Sequence, residues 1–209
     1  VTRGGNKRRS QESDLELGRA VSLAQCGDES AFEKVYHLVH PGLFGYVRGL
    51  VGADADDVAS DAWLEIARDL RRFRGDGVGF RGWTAAIARN RAMDHLRKQG
   101  RGPRTSLIEQ EVLNLPGRAD TANAVLEAMS TRTALARIAG LPPEQAEAVL
   151  LRVVVGLDGP AAARVLGKRP GAVRTAAHRG LRRLAEQLTP ASRAKTARDA
   201  VPGPLRDET

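Results

Sequence analysis

In the stretch RPGAVRTAAHRGLRRL, residues 169–184, Arg174, Thr175, His178 and Arg179 fall at the spacing of neighbours on a helix surface. Wound as a helix, Val173, Ala177, Leu181, Leu184 and Leu188 form one apolar stripe. Arg174, His178 and Arg182 form a stripe beside it, and Thr175, Arg179 and Arg183 another. Such a helix buries one face and offers a basic one. The major groove of duplex DNA admits a helix, and the arginine fork matches the guanine edge there. Lys168 and Arg169 stand just ahead of the helix, and no acid occurs from Pro160 to Ala185. A solvated basic face has the same composition. What favours a reading helix is the segment before it: DGPAAARVLG reads as a short helix with Asp158 as its N-cap, and Gly167-Lys168 as a tight turn, together a helix-turn-helix. Binding of single strands relies on aromatic stacking, and no aromatic residue follows Trp83, so this half suits duplex.

The other half carries different chemistry. From Arg81 to Arg104 the only acid is Asp94. On a helix, Arg91, His95 and Lys98 share one face, and Asn90, Asp94 and Arg97 an adjacent one. Upstream, Phe73, Phe80 and Trp83 flank the glycine-rich RGDGVG. Aromatics and bases around such a loop suit an unstacked base held in a pocket; they equally suit a plain core, and the two roles are compatible. A mid-helix Asn90 needs a partner if buried. Before this lies an acidic run, Asp54, Asp56, Asp57, Asp61 and Glu65, around Trp63. Acids in a first turn offset the helix dipole, and the same acids form a protein-docking face.

These groups need helices to hold them, and the hydrophobic spacing supplies little else. The pattern predicts helices over DLELGRAVSLAQ, over ESAFEKVYHLV behind an Asp28 N-cap, over PGLFGYVRGLV starting at Pro41 and ending at Gly52, over residues 54–73, and over residues 80–98 with Trp83, Ile87 and Leu96 inward. In the fourth of these, Val58, Ala62, Leu64 or Glu65, and Leu70 lie around its faces. LPPEQAEAVLLRVVVG has Pro at its start, Glu144 in its first turn and Gly156 at its end, each where helix chemistry favours it. The organisation expected is all-α: a disordered basic tail over 1–13, a helical domain over 14–100, a flexible, partly acidic linker over 101–132 with at most a short helix, a second helical domain over 133–188, and a disordered tail over 189–209.

The net charge of +8 favours polyanionic partners. The single cysteine, Cys26, rules out a disulfide within the chain and fits a reducing cytosol. No run approaches the ~20 apolar residues of a membrane span. His37, His40, His95 and His178 are scattered, and no nucleophile–base set, phosphate-binding P-loop or HExxH is present. The expectation is therefore a chain that is no enzyme, with no metal and no cofactor.

The order DADDVASDAWLEIARDL, then FRG, then GWTAAIARNRAMDHLRK, a linker, and LPPEQAEAVLLRVVVGLDGPAAARVLGKRPGAVRTAAHRGLRRL resembles bacterial RNA polymerase sigma factors of the extracytoplasmic-function (ECF) group, in the sigma-70 family. The resemblance spans roughly residues 14–188 and implies a promoter-specificity subunit with two domains, region 2 and region 4. It implies that Asp57, Asp61, Trp63 and Arg68 grip the β′ clamp helices of core polymerase. It implies that Phe73, Phe80, Trp83 and Asn90 capture a flipped −10 base and that Arg91, Asp94 and Arg97 meet −10 DNA. It implies that Lys168, Arg169, Arg174, Thr175, His178 and Arg179 serve −35 duplex. Core polymerase through β′ and β, promoter DNA, and an anti-sigma factor or other regulator are the implied partners, in the cytoplasm at the nucleoid. The chain departs from many relatives at Ser60, Ala176 and Ala177, where Gln, Arg and Leu are common. The alternative is a stand-alone helix-turn-helix repressor or activator, binding a two-fold operator without polymerase.

Overall fold

The structure, a computed structural model, describes the backbone of residues 3–100 and 122–188, with side chains for 11–100 and 131–187. The described residues are helical throughout, without strands, as expected. An amino-terminal bundle comprises α1 (Arg3–Gln25), α2 (Glu29–Val51), α3 (Ala55–Asp69) and α4 (Gly77–Lys98). A carboxy-terminal bundle comprises α5 (Ala122–Ala139), α6 (Pro143–Val149), α7 (Gly159–Leu166) and α8 (Pro170–Leu188).

Local chemistry sets most helix ends. Asp28 accepts from the Ala31 N–H at 3.0 Å, Asp76 from Gly79 at 2.7 Å, and Asp158 from Ala161 at 2.7 Å, each satisfying a donor that the first helical turn leaves open. Ser30 and Ala31, donating to the Asp28 carboxylate, hold its pKa below the ordinary value. Gly167 stops α7 in the left-handed region, at φ 63°, and so makes the turn between α7 and α8.

The structure corrects four expectations. The helix break at Pro41 does not occur: α2 runs through it, because Val35, Val39, Leu43, Tyr46 and Val47 continue one buried face across the proline, which sits exposed. The lost proline N–H removes one ladder bond, and burial outweighs it. The basic segment read as a tail is helical from Arg3, continuous with α1. Its lower end is pinned by Arg81, which donates to Asp14 at 3.0 Å, Ser13 at 2.9 Å and the Leu38 carbonyl at 3.2 Å, tying α1, α2 and α4 together. Residues 122–132, read as linker, belong to α5, so the boundary placed at 133 falls inside a helix. Leu181, read as buried, is 45% exposed. The expectations for 101–121, Leu188 and the 189–209 tail lie outside the residues or side chains described.

The two bundles share one hydrophobic core. Helix α6 widens after Val149 into a π-helical turn, Leu150–Val154, in which the Val155 N–H reaches the Leu150 carbonyl at 3.1 Å. This turn lies on α2 at Gly42, Gly45 and Gly49. A Cβ at Gly42 would meet the Val154 carbonyl oxygen at 2.9 Å, one at Gly45 the Val154 Cγ1 at 2.8 Å, and one at Gly49 the Leu150 Cδ1 at 2.6 Å. Each glycine costs a helix interior about 1 kcal/mol against alanine, so the close approach is what gives them a use. Beside them, Glu147 of α6 accepts from Tyr46 at 3.1 Å and from Arg89 of α4 at 2.6 Å. Burial, with Glu147 adding to it, pushes the Tyr46 hydroxyl well above the ordinary tyrosine range. Helix α4 also packs on α7.

Candidate nucleic-acid interface

Helix α8 is held from beneath by Val173, Ala177 and Gly180, all buried. Gly180 lets it approach α6 closely: a Cβ there would meet Val149 Cγ2 at 2.8 Å, Leu141 Cδ1 at 3.2 Å and the Gln145 carbonyl oxygen at 3.3 Å. Val173, Ala177 and Gly180 lie at i, i+4 and i+7, and Leu181 falls one position off that stripe. Opposite it, Arg174, Thr175, His178 and Arg179 are exposed together, and Arg174 and Arg179 form no ion pair among the described residues. Lys168 and Arg169 are exposed at the turn; Lys168 Nζ lies 2.6 Å from Glu144 Oε1, tying the turn to the start of α6. The Lys168 ammonium, through its hydrogen bond and charge, draws the Glu144 carboxyl below its ordinary pKa. The arrangement presents a row of donors over the first turns of α8 with no acid among them, which is the chemistry of duplex binding. The acid of that side, Glu186, lies further on and is paired with Arg182 at 3.3 Å.

The amino-terminal bundle arranges its expected residues less uniformly. Phe73, Phe80 and Trp83 meet as three rings, with centroids 5.1, 5.2 and 5.5 Å apart. Phe80 is fully buried and Phe73 nearly so, leaving Trp83 half-buried at the rim. Two of these aromatics are therefore core, and they position the third beside the Arg74–Asp76 loop. Asn90 is exposed on α4 with no hydrogen-bond partner among the described residues, so burial makes no demand on it. Arg91, on the basic face, donates to Glu65 of α3 at 2.6 Å, and Arg97 pairs with Asp94 at 2.8 Å. His95 lies 3.0 Å from Asp54, and Gln99 donates to the same carboxylate. Much of the formal charge of this face is thus already answered by acids, which leaves Asn90, Lys98 and Trp83 as the groups most open to a ligand.

On α3, Asp57, Asp61 and Arg68 are exposed along one side, at i, i+4 and i+11. Trp63 does not join them. It is 8% exposed, packs 4.7 Å from Tyr36 and in T-shaped contact with Phe32, and donates its indole N–H to His40 Nδ1 at 3.1 Å. Trp63 supports that face from behind. The apolar residue on it is Leu64, 72% exposed between Asp61 and Arg68, where the sequence pattern leaves Leu64 and Glu65 as alternatives around the helix. Its signal in the sequence is its place at i+7 from Asp57 and i+3 from Asp61, the spacing of one helix side.

Among the described residues no group of His, Cys, Asp and Glu is arranged to hold a metal ion, and no helix is long and apolar enough to cross a membrane.

Two bundles of helices, the second a helix-turn-helix with a free basic face, are the architecture expected of sigma regions 2 and 4. Residues 35–102 match Sigma-70 region 2, and residues 131–184 match Sigma-70, region 4. The chain is 32% identical to the ECF RNA polymerase sigma factor BldN of Streptomyces coelicolor, over 88% of this chain and 70% of that protein. It is 33% identical to the ECF RNA polymerase sigma factor SigD of Mycobacterium tuberculosis, over 84% of this chain and 85% of that one. Among solved structures, CnrH in complex with the cytosolic domain of CnrY is similar in fold, with a TM-score of 0.55 at 24% identity, over 84% of this chain and 97% of that one. The chain belongs to the ECF group of sigma-70 family RNA polymerase sigma factors. It is a promoter-specificity subunit, which binds core polymerase and promoter DNA to direct transcription initiation.

Proposed function

We propose that the work is divided among three helices. Helix α8 reads the −35 element as intact duplex: Arg174, Thr175, His178 and Arg179 face the bases, while Lys168 and Arg169 hold phosphates at the turn. Helix α4 and the loop before it take the −10 element, with Asn90 and the rim of Trp83 receiving an unstacked base over the Phe73–Phe80 support, and Arg91, Asp94 and Arg97 flanking it. The α3 side formed by Asp57, Asp61, Leu64 and Arg68 docks on the β′ clamp helices, with Trp63 fixing its shape. The chain performs no chemistry itself; it works in the cytoplasm at the nucleoid, and a regulatory protein of the anti-sigma kind covers it when its regulon is silent. The complex of CnrH with the cytosolic domain of CnrY supports that last reading by fold alone.

The observation that carries this division is that Arg174 and Arg179 form no ion pair among the described residues, while the basic face of α4 is largely paired. The test is run-off transcription with purified core enzyme. Promoter-specific transcripts are expected only when the chain is added. Arg174→Ala is expected to lower use of the −35 element by roughly tenfold, the scale of one lost base contact. Asn90→Ala is expected to impair opening with core binding intact. Normal opening by Asn90→Ala overturns the pocket, and failure to bind core overturns the division as a whole.

A further inference from the structure

Helix α1 has no part in the division of work above, yet one side of it runs along the chain that leads into α4. Asp14, Gly18 and Gln25 share that side, at i, i+4 and i+11. Facing them are a 3-10 turn, Leu70–Arg72, and the residues 73–76 that follow it. This segment is held from α1 at both ends. At its start, the Gln25 side-chain amide donates to the Leu70 carbonyl at 2.9 Å and to the Phe73 carbonyl at 2.8 Å. Both partners are acceptors, so it is the amide nitrogen that faces them. At its end, α4 begins against α1: a Cβ at Gly18 would meet the Gly77 nitrogen at 3.3 Å, and one at Gly77 would overlap the Asp14 carbonyl. Arg74 also donates to the Phe73 carbonyl, and to that of Arg71, both at 2.8 Å, but Arg74 is exposed and part of the loop itself. Among the described side chains that donate to the Leu70 and Phe73 carbonyls, Gln25 is the one anchored outside the loop.

We propose that Gln25 is a positioning residue for the −10 base site: from α1 it fixes the Leu70–Phe73 turn, and through that turn the Phe73 ring against which Trp83 packs. The proposal rests on the reading of Trp83 and the Arg74–Asp76 loop given above. Phe73 lies 5.1 Å from Phe80 and 5.2 Å from Trp83 between ring centroids. Phe80 and Trp83 both stand on α4, so their spacing is set by one helix. Phe73 reaches them from the other side of the loop, and its place depends on where the turn at 70–73 lies. Burial keeps Leu70 and Phe73 inside, but burial is non-directional. The two bonds from Gln25 are directional and fix the angle of the turn. The loop has little slack to absorb their loss, since a Cβ at Gly75 would meet Phe73 Cζ at 2.9 Å. A binding constellation has to be held within about 0.5 Å of its working geometry, and a stacked base is sensitive to the tilt of the ring beneath it. Gln25 therefore touches no DNA and acts on base capture through Phe73 and Trp83.

The experiment uses the full chain bound to core polymerase and a fluorescently labelled single strand carrying the non-template −10 sequence of a promoter it transcribes. An abasic site is placed at each position in turn, and the ratio of Kd without and with the base is taken for each. In wild type one position is expected to show a penalty of about tenfold, the scale of one base stacked on an aromatic side chain. Gln25→Ala removes the anchor, and Gln25→Glu keeps its length while setting a carboxylate against two carbonyls. Both are expected to abolish most of the penalty at that one position and to leave the other positions unchanged. Ser22→Ala is the control on the same helix: it removes a hydroxyl bonded to the Gly18 carbonyl at 3.1 Å, away from the loop, and is expected to keep the wild-type pattern. Each ratio is taken within one protein, so a smaller folded fraction cancels from it. Destabilisation alone weakens binding of every strand and leaves the penalty in place. The inference is overturned if both Gln25 variants keep the wild-type penalty, or if Ser22→Ala loses it as they do. A wild-type chain with no such position refutes the base site itself and the inference with it, whereas a penalty that survives in the Gln25 variants refutes the part given to Gln25 alone.

Discussion

Replacing Gly180 with alanine sets two effects of similar size against each other. Alanine in a helix interior is favoured over glycine by about 1 kcal/mol, and α8 gains that much intrinsically. Against it stand the contacts of the new methyl group: 2.8 Å to Val149 Cγ2, 3.2 Å to Leu141 Cδ1 and 3.3 Å to the Gln145 carbonyl oxygen. Overfilling a packed site costs about 1–3 kcal/mol when the neighbours must shift. Here two of the three yield poorly, since Val149 is β-branched with a stiff χ1 and Gln145 offers backbone inside α6. The net expectation is a loss of about 1 kcal/mol. Gly171→Ala on the same helix is the control: nothing lies within 4 Å of its Cβ position, so it is neutral or stabilising. Equilibrium urea unfolding followed by helical circular dichroism measures both. Because α8 is levered away from α6, Gly180→Ala is also expected to weaken −35 duplex binding severalfold in a mobility shift. Stability equal to or above wild type for Gly180→Ala refutes the close-approach argument.

Three further outcomes are expected. Leu64→Ala lowers affinity for core polymerase, measured by competition for core, and leaves the unfolding midpoint unchanged because the side chain is 72% exposed. Asp158→Ala removes the cap of α7, costs about 1 kcal/mol in urea unfolding and weakens −35 binding by displacing the turn. The third concerns pH. Burial pushes the His40 pKa below its ordinary value, with Asp56 opposing and His37 assisting. The unfolded chain then binds more protons below about pH 6.5, so this stability is full above that pH and is lost as pH falls through the depressed folded value. Protonation at Nδ1 also breaks the bond from Trp63. The melting temperature is expected to fall more steeply between about pH 7 and about pH 5 in wild type than in His40→Phe, and equal slopes speak against it.

Much of this architecture is local chemistry and can be read from the chain. The caps at Asp28 and Asp158, the Gly167 turn and the exposed row Arg174–Arg179 follow from residue types and helical spacing alone. What resists such reading is rotational phase. Trp63 and Leu64 are neighbours about 100° apart on α3, and which of them turns inward depends on His40 and Tyr36, far away on α2. The same one-position question at Gly180 and Leu181 is decided by how near α6 comes. Pro41 misleads because its local cost is certain while the buried face that overrides it is tertiary. The pairing of Arg91 with Glu65 likewise joins residues whose proximity no spacing reveals.

The contact between the α2 glycines and the π-helical turn bears on how readily such proteins exchange parts. In the division of work proposed above, promoter preference sits in α7 and α8, and grafting those helices from a relative is the obvious route to a new regulator. Helix α6 travels with them, carrying Glu147, Leu150 and Val154. A donor with a bulkier turn, or without the carboxylate, no longer matches an α2 cut to this shape. Such a hybrid carries a mismatched seam between its two bundles. Its stability then reports the fit of the seam as well as the quality of each bundle. Swaps that carry α2 and α6 as a matched pair are the ones that preserve the parent's packing.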